Sequence, residues 1–158
     1  MTEKFTFFWG GPFSQWHKSE FNDHFRNYNC MEQFMMYHKA VLMGDDDTAK
    51  KILKTPFNPR EYKALGRQVS PFDAKLWNEK SKEIVHKGNV FKFTQNQDLL
   101  KLLAATKETT LVEASPYDKI WGVGLKESDP RIQYRDQWKG RNLLGEILTE
   151  VRIELIGE

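Results

Sequence analysis

The sequence predicts a single α+β domain over residues 1–158, mainly helical with a small β-sheet. Three observations carry that expectation. Apolar residues recur at three- and four-residue spacing in six stretches bounded by capping or breaking residues. Strand-like patterning is confined to short stretches, chiefly near Phe5–Trp9 and Thr109–Ala114. No repeat, low-complexity tract or linker divides the 158 residues, a length that suits one sizeable core.

In order along the chain, Phe5–Trp9 alternates loosely, is rich in aromatics and is stopped by Gly10-Gly11-Pro12. Phe13, Trp16, Phe21 and Phe25 are candidate buried residues, with a second short strand expected near Ser19–Asn22. A helix is expected over Cys30–Met43, with Asn29 as its N-cap and Met31, Phe34, Met35, His38 and Leu42 on one stripe. Gly44 ends it. Asp45-Asp46-Asp47 then supplies acid where the next helix dipole is positive, and that helix runs to Lys54. Pro56 and Pro59 break the chain before a short helix over Pro59–Leu65, closed by Gly66-Arg67. Ser70 as cap and Pro71 at the first position predict a long helix over Phe72–Phe91, with Trp77, Ser81, Ile84 and Gly88 on one stripe. Gln97–Ala105 is helical and Thr109–Ala114 a strand, Ser128–Gln137 is a polar loop with a helical turn, and a last helix starts near Leu143.

Composition narrows the function classes. Hydrophobic content of 39% against 29% charged residues describes a soluble globular chain with no apolar run long enough to span a bilayer. MTEKFTFFWGG lacks the apolar core of a signal peptide, and the single cysteine, Cys30, rules out an intramolecular disulfide. These features suit a cytoplasmic protein. A net charge of +2 demands no nucleic-acid partner; Lys50-Lys51 and Lys139-Gly140-Arg141 are the short basic clusters.

The stretch that reads as chemistry is LVEASPYDKIWGVG, Leu111 to Gly124. An apolar strand end is followed by Glu113 and Asp118, set across a Ser-Pro turn, then by Trp121, Gly122 and Gly124. An acid after two apolar strand residues costs energy unless it has partners. Asp118 can equally be the turn former of Pro-Tyr-Asp-Lys, so spacing alone leaves both acids open between functional and structural roles. Glu32 lies in the first turn of its helix with Lys39 two turns on, a pattern that a solvated face also produces. His17, His24, His38 and His86 form no ligand spacing for a metal; Glu83-x-x-His86 is half of a diiron motif whose second copy is missing. Gly122-x-Gly124 lacks the third glycine and the helix of a dinucleotide fingerprint.

Taken together, these residues resemble the NADAR, or YbiA-like, family of small N-glycosidases. The matching pieces cover nearly the whole chain: Phe7-Phe8-Trp9-Gly10 with Phe13-Ser14; Tyr28 to Gln33 followed by Lys39-Ala40; Gly66-Arg67; Trp77; Lys92-Phe93 with Gln95-Asn96; Leu111 to Pro116 with Asp118 and Trp121 to Gly124; and Trp138-Lys139-Gly140 with Asn142 to Gly145. Arg131–Gln137 has no family expectation.

The resemblance implies hydrolysis of an N-glycosidic bond of ribose. One branch of the family removes the base from ribosylamino-pyrimidine 5′-phosphates formed early in riboflavin synthesis, releasing ribose 5-phosphate; another removes ADP-ribose from guanine bases of DNA. A third reading is a non-catalytic ADP-ribose or nucleotide-binding module, against which the three retained acids weigh. By matching position the resemblance implies Glu32, Glu113 and Asp118 as catalytic acids, with Glu113 or Glu32 as base and Asp118 as partner. Trp77 and Trp121 would stack the base; Lys39, Arg67 and Arg141 would hold phosphate; Asn29 and Asn142 would hold ribose hydroxyls; Gly122 would allow close approach. The implied partner is a small ribosylated molecule, or ADP-ribosylated DNA in the second reading. Neither a metal, a cofactor, a membrane nor an obligate protein partner is required.

Overall fold

Four residues near the N-terminus find their partners more than a hundred positions later. In the computed structural model, which describes residues 2–158, β1 (Phe5–Phe8) pairs in parallel with β4 (Thr110–Glu113), Phe5 opposite Thr110 and Phe8 opposite Glu113. Ala114 N–H extends the ladder to Phe8 C=O at 2.8 Å, and the Thr6 and Thr109 hydroxyls meet at 2.7 Å. The chain divides into two compact units. One combines the N-terminal segment up to Ser14 with Gln97–Glu158; the other is Gln15–Asn96.

The first unit is built on that strand pair. The core joins Val112, Ala114, Val123, Leu125 and Ile132, with Phe5, Phe7 and Trp138 packed against them. Leu111 and Val112 are both fully buried, so β4 is covered on both faces, each side chain contributing about 1.5–3 kcal/mol. Helix α5 (Gln97–Ala104) leads into β4, and α6 (Leu143–Ile156) packs against it. Gly145 makes that approach feasible: a Cβ there would lie 2.1 Å from Leu111 C=O. The Ser128–Gln137 loop carries two 3₁₀ turns, Pro130–Gln133 and Arg135–Gln137. Arg135 bridges Glu3 and Glu146 on the surface.

The second unit surrounds α1 (Met31–Leu42), against which α2 (Asp46–Lys54), α3 (Pro59–Arg67) and α4 (Ala74–Thr94) pack. A two-residue hairpin, β2 (Phe21–Asn22) with β3 (Asn27–Tyr28), runs antiparallel, and the Gln95 side chain closes β2 by bonding both Asn22 N–H and Asn22 C=O. Two helix starts differ from expectation. Cys30, not Asn29, is the N-cap of α1 and makes no side-chain capping bond; Gln33 reaches back instead, its Oε1 accepting from Asn29 N–H at 2.7 Å. Helix α4 begins at Ala74, capped by Asp73 bonding Leu76 N–H, because Asp73 offers a carboxylate acceptor three residues beyond Ser70. Asp45 caps α2 as the acidic run suggested, accepting from both Thr48 N–H and Thr48 Oγ1. Among the described residues no helix is long and apolar enough to cross a membrane.

Candidate active site

Glu113 is the last residue of β4 and is half-buried. Its backbone is held from both sides. Its N–H donates to Asn142 Oδ1 at 2.9 Å, and its C=O accepts from Val123 N–H at 3.0 Å. The carboxylate lies over Gly122, where a Cβ would sit 2.8 Å from Glu113 Oε2 and 3.0 Å from the carbonyls of Glu113 and Asp118. Only a residue without Cβ accepts a carboxylate this close to its backbone.

Asn142 makes this arrangement. It is fully buried, sits in the left-handed region with φ 53°, and stands at the N-cap of α6 without a side-chain capping bond. Its side chain acts as a short strand beside β4: Oδ1 accepts from Glu113 N–H and Nδ2 donates to Leu111 C=O at 3.0 Å. Asn tolerates this backbone conformation better than most residues. The amide reserved in sequence for a ribose hydroxyl is thus spent on orienting Glu113.

Asp118 forms the turn. Its Oδ1 accepts from Ile120 N–H at 2.9 Å and Trp121 N–H at 2.8 Å, while Ser115 Oγ accepts from Tyr117 N–H and Asp118 N–H. The half-buried Trp121 has its backbone fixed on both sides, through Asp118 and through Leu144 N–H. The amides of Arg141, Asn142, Leu143 and Leu144 bond the carbonyls of Lys119, Gly122, Ile120 and Trp121. The start of α6 is therefore consumed by the loop and offers no empty cradle for phosphate, although the Arg141 side chain is exposed. Glu113, Asp118, Trp121, Gly122, Arg141 and Asn142 thus form one constellation within the first unit.

In the second unit, Glu32, Lys39, Arg67 and Trp77 form another. Glu32 is buried at 7% exposure in the first turn of α1, with its N–H on Gln15 C=O at 2.9 Å. Lys39 is half-buried; its Nζ lies 4.8 Å from the Phe72 ring centre and 5.8 Å from that of half-buried Trp77. Burial pulls the Lys39 pKa below its ordinary value, Glu32 pushes it back up and Arg67 lowers it further. The Arg67 side chain is exposed at the end of α3. Asn29 is more fully engaged: its Nδ2 donates to Tyr62 Oη at 3.0 Å, which in turn donates to Thr55 C=O.

Sequence reasoning assigned no role to Lys92. This residue of α4 is fully buried, and desolvation drives its pKa down to about 7, with the neighbouring Cys30 pulling the other way. Cys30 is itself buried and its thiol is pushed up to about 11, burial again the chief cause, so it is not a ready thiolate. The clues to Lys92 in the sequence were its place between Phe91 and Phe93 and the match of Lys92-Phe93 to the family pattern. Among the described residues no group of three or more His, Cys, Asp or Glu side chains is gathered as a metal-binding cluster.

Comparison with known proteins places these geometries in context. Residues 7–156 match the family model of the NADAR domain. Protein irg-1 of Caenorhabditis elegans is 47% identical over 130 residues, 81% of this chain, and the match spans 61% of that protein's length. N-glycosidase R617 of Acanthamoeba polyphaga mimivirus is 40% identical over 166 residues, covering 97% of each. Riboflavin biosynthesis protein PYRR of Arabidopsis thaliana is 32% identical over 116 residues, 71% of this chain and 17% of that one. Among solved structures, the NMR structure of Escherichia coli YbiA matches with a TM-score of 0.79 at 25% identity, over 98% of this chain and 86% of that one.

Proposed function

This chain belongs to the NADAR domain family, and from that premise we propose that it is an N-glycosidase that hydrolyses the C1′–N bond of ribosylamino-pyrimidine 5′-phosphates and releases ribose 5-phosphate. The observation that carries the reading is Glu113: a half-buried carboxylate held through its backbone on both sides and seated on a glycine. Support for the reaction class comes from R617 and its name, and for a place in riboflavin biosynthesis from the name of the PYRR relative.

Cleavage of this bond passes through an oxocarbenium-like state, which a nearby carboxylate stabilises and which water attacks. Glu113 is assigned to that carboxylate: it takes a proton from water as the water oxygen bonds to C1′. The C1′–N electron pair leaves with nitrogen, which takes up a proton. Asp118 is the partner acid. Glu32 is the alternative base, in the second unit. Lys39 and Arg67 are cations suited to the 5′-phosphate, with Arg141 an exposed third. Trp77 and Trp121 are offered for stacking the base. Asn142 acts through Glu113 as a positioning residue, and Asn29 stands beside it in this proposal only as a candidate for the ribose. The nucleophile is water, so the reaction as written needs no metal or redox group.

The test is release of ribose 5-phosphate from the ribosylamino-pyrimidine phosphate, run with and without chelator, beside Glu113→Gln. Turnover is expected to survive the chelator and to fall about 10²–10⁴-fold in the variant, with the fold retained because the side chains are isosteric. Turnover equal to wild type in Glu113→Gln would remove the assignment. No wild-type turnover on this substrate, with turnover on ADP-ribosylated guanine in DNA, would move the substrate; binding without turnover on either would leave a binding module.

A further inference from the structure

Two large aromatic side chains in the first unit are exposed where the parallel strands end. Trp9 is 59% exposed and Tyr117 82% exposed, and their ring centres lie 5.9 Å apart at an interplanar angle of 55°. Trp9 is the residue after Phe8, the register partner of Glu113. Tyr117 immediately precedes Asp118 in the turn that Ser115 Oγ fixes through both of their amides. After Trp9 the chain turns away through Gly10 and Gly11, at φ 84° and 73°, and no atom lies within 4 Å of where either Cβ would be. Leaving two such rings in water forgoes burial worth about 1.5–3 kcal/mol for each.

From this juxtaposition we propose that Trp9 and Tyr117 form a stacking platform for the flat heterocycle that leaves in the reaction, and so set which leaving groups the enzyme accepts. The proposal rests on the N-glycosidase reading and adds a second pair of rings to Trp77 and Trp121, which that reading offers to the base. The two rings stand just beyond the carboxyl ends of the paired strands. Tyr117 adjoins Asp118 and Trp9 follows the register partner of Glu113, so the rings flank the segment that carries both unit-one acids. The chemistry selects a flat π-system. Neither ring offers an edge-reading hydrogen-bond pattern like a buried amide, so the platform grips the face of the heterocycle and tolerates changes around its rim.

The experiment separates base from sugar. Wild type, Trp9→Ala, Tyr117→Ala and the double variant are titrated with 5,6-diaminouracil, a free pyrimidine of the leaving-group type, and separately with ribose 5-phosphate. Binding is read by calorimetry, with circular dichroism confirming the fold. The expected result is at least about tenfold weaker pyrimidine binding in the double variant, a smaller loss in each single variant, and unchanged ribose 5-phosphate binding. Pyrimidine binding as tight in the folded double variant as in wild type overturns the platform. So does a parallel loss of both ligands, which reports general damage, or a changed oligomeric state with pyrimidine binding intact, which assigns the rings to contact with a second copy. Because the titration needs no turnover, it decides the platform even if the wild type fails to hydrolyse the phosphate substrate. That failure would count against the reaction and leave the base-binding result standing.

Discussion

In the first unit Glu113 owes its position to shape and main-chain hydrogen bonds; in the second unit Lys39 and Lys92 owe their properties to loss of water. Around Glu113 an asparagine amide oxygen and the Val123 N–H hold the backbone, and a glycine leaves room for the side chain. Around α1 and α4 the controlling terms are burial and neighbouring charge, which pull Lys39 down and bring Lys92 to about 7. The difference teaches how each set should respond to change. A group held by geometry is sensitive to a single added carbon. A group tuned by desolvation is sensitive to pH.

The sharpest way to break the comparison is Gly122→Ala. The new methyl group would meet Glu113 Oε2 at 2.8 Å and two carbonyl oxygens at 3.0 Å, so the carboxylate or the turn must move. Displacement of a catalytic group by about 1 Å costs on the order of 10²-fold in rate. The expected outcome is a fall in kcat of about that size with little change in KM, measured by ribose 5-phosphate release. A rate within twofold of wild type would show that Glu113 is not held by shape.

How much of this could be read in the sequence varies from residue to residue. The helices were legible because their apolar spacing and caps are local signals, Asp45 before α2 being the clearest. Glu113 stood out because an acid at the end of an apolar strand needs a reason. The pairing of β1 with β4 was not legible, since nothing at Phe5–Phe8 points to Thr110–Glu113. The job of Asn142 was hidden for the same reason: a left-handed asparagine clamping a strand edge depends on contacts some thirty residues away. The burial of Lys92 was not legible because burial is a property of packing; the sequence held only its phenylalanine neighbours and the family match of Lys92-Phe93.

The second unit is tested by pH. Lys92 drops from its ordinary 10.5 to about 7 on folding. Between those values the unfolded chain holds the proton and the folded chain does not, so stability rises with pH across that window. Below about 7 both states are charged and above 10.5 both are neutral, so the dependence flattens at each end. Lys92→Met removes the titrating group. The stability of wild type relative to Lys92→Met should therefore climb from about pH 7 toward 10.5, at up to about 1.4 kcal/mol per pH unit, read from urea midpoints. A difference that stays flat through the window would show that Lys92 keeps its charge in the fold and that desolvation is not what governs it.

The smallest expected effect concerns Lys39, the half-buried cation beside Phe72 and Trp77. If its part is to hold the 5′-phosphate, Lys39→Met should raise KM for the phosphorylated substrate about three- to tenfold and leave kcat unchanged. The same variant should not change KM for the unphosphorylated riboside, which isolates the phosphate as the group being held. The lowered pKa adds a second signature with a definite sign. Binding needs the charged ammonium, so wild-type affinity for the phosphorylated substrate should weaken with rising pH before the ordinary lysine value of 10.5 is reached, and the variant should lack that limb. A fall in kcat instead of a rise in KM would place Lys39 with the reacting atoms. The second unit would then be doing chemistry, with desolvation rather than geometry tuning a group at the reacting atoms.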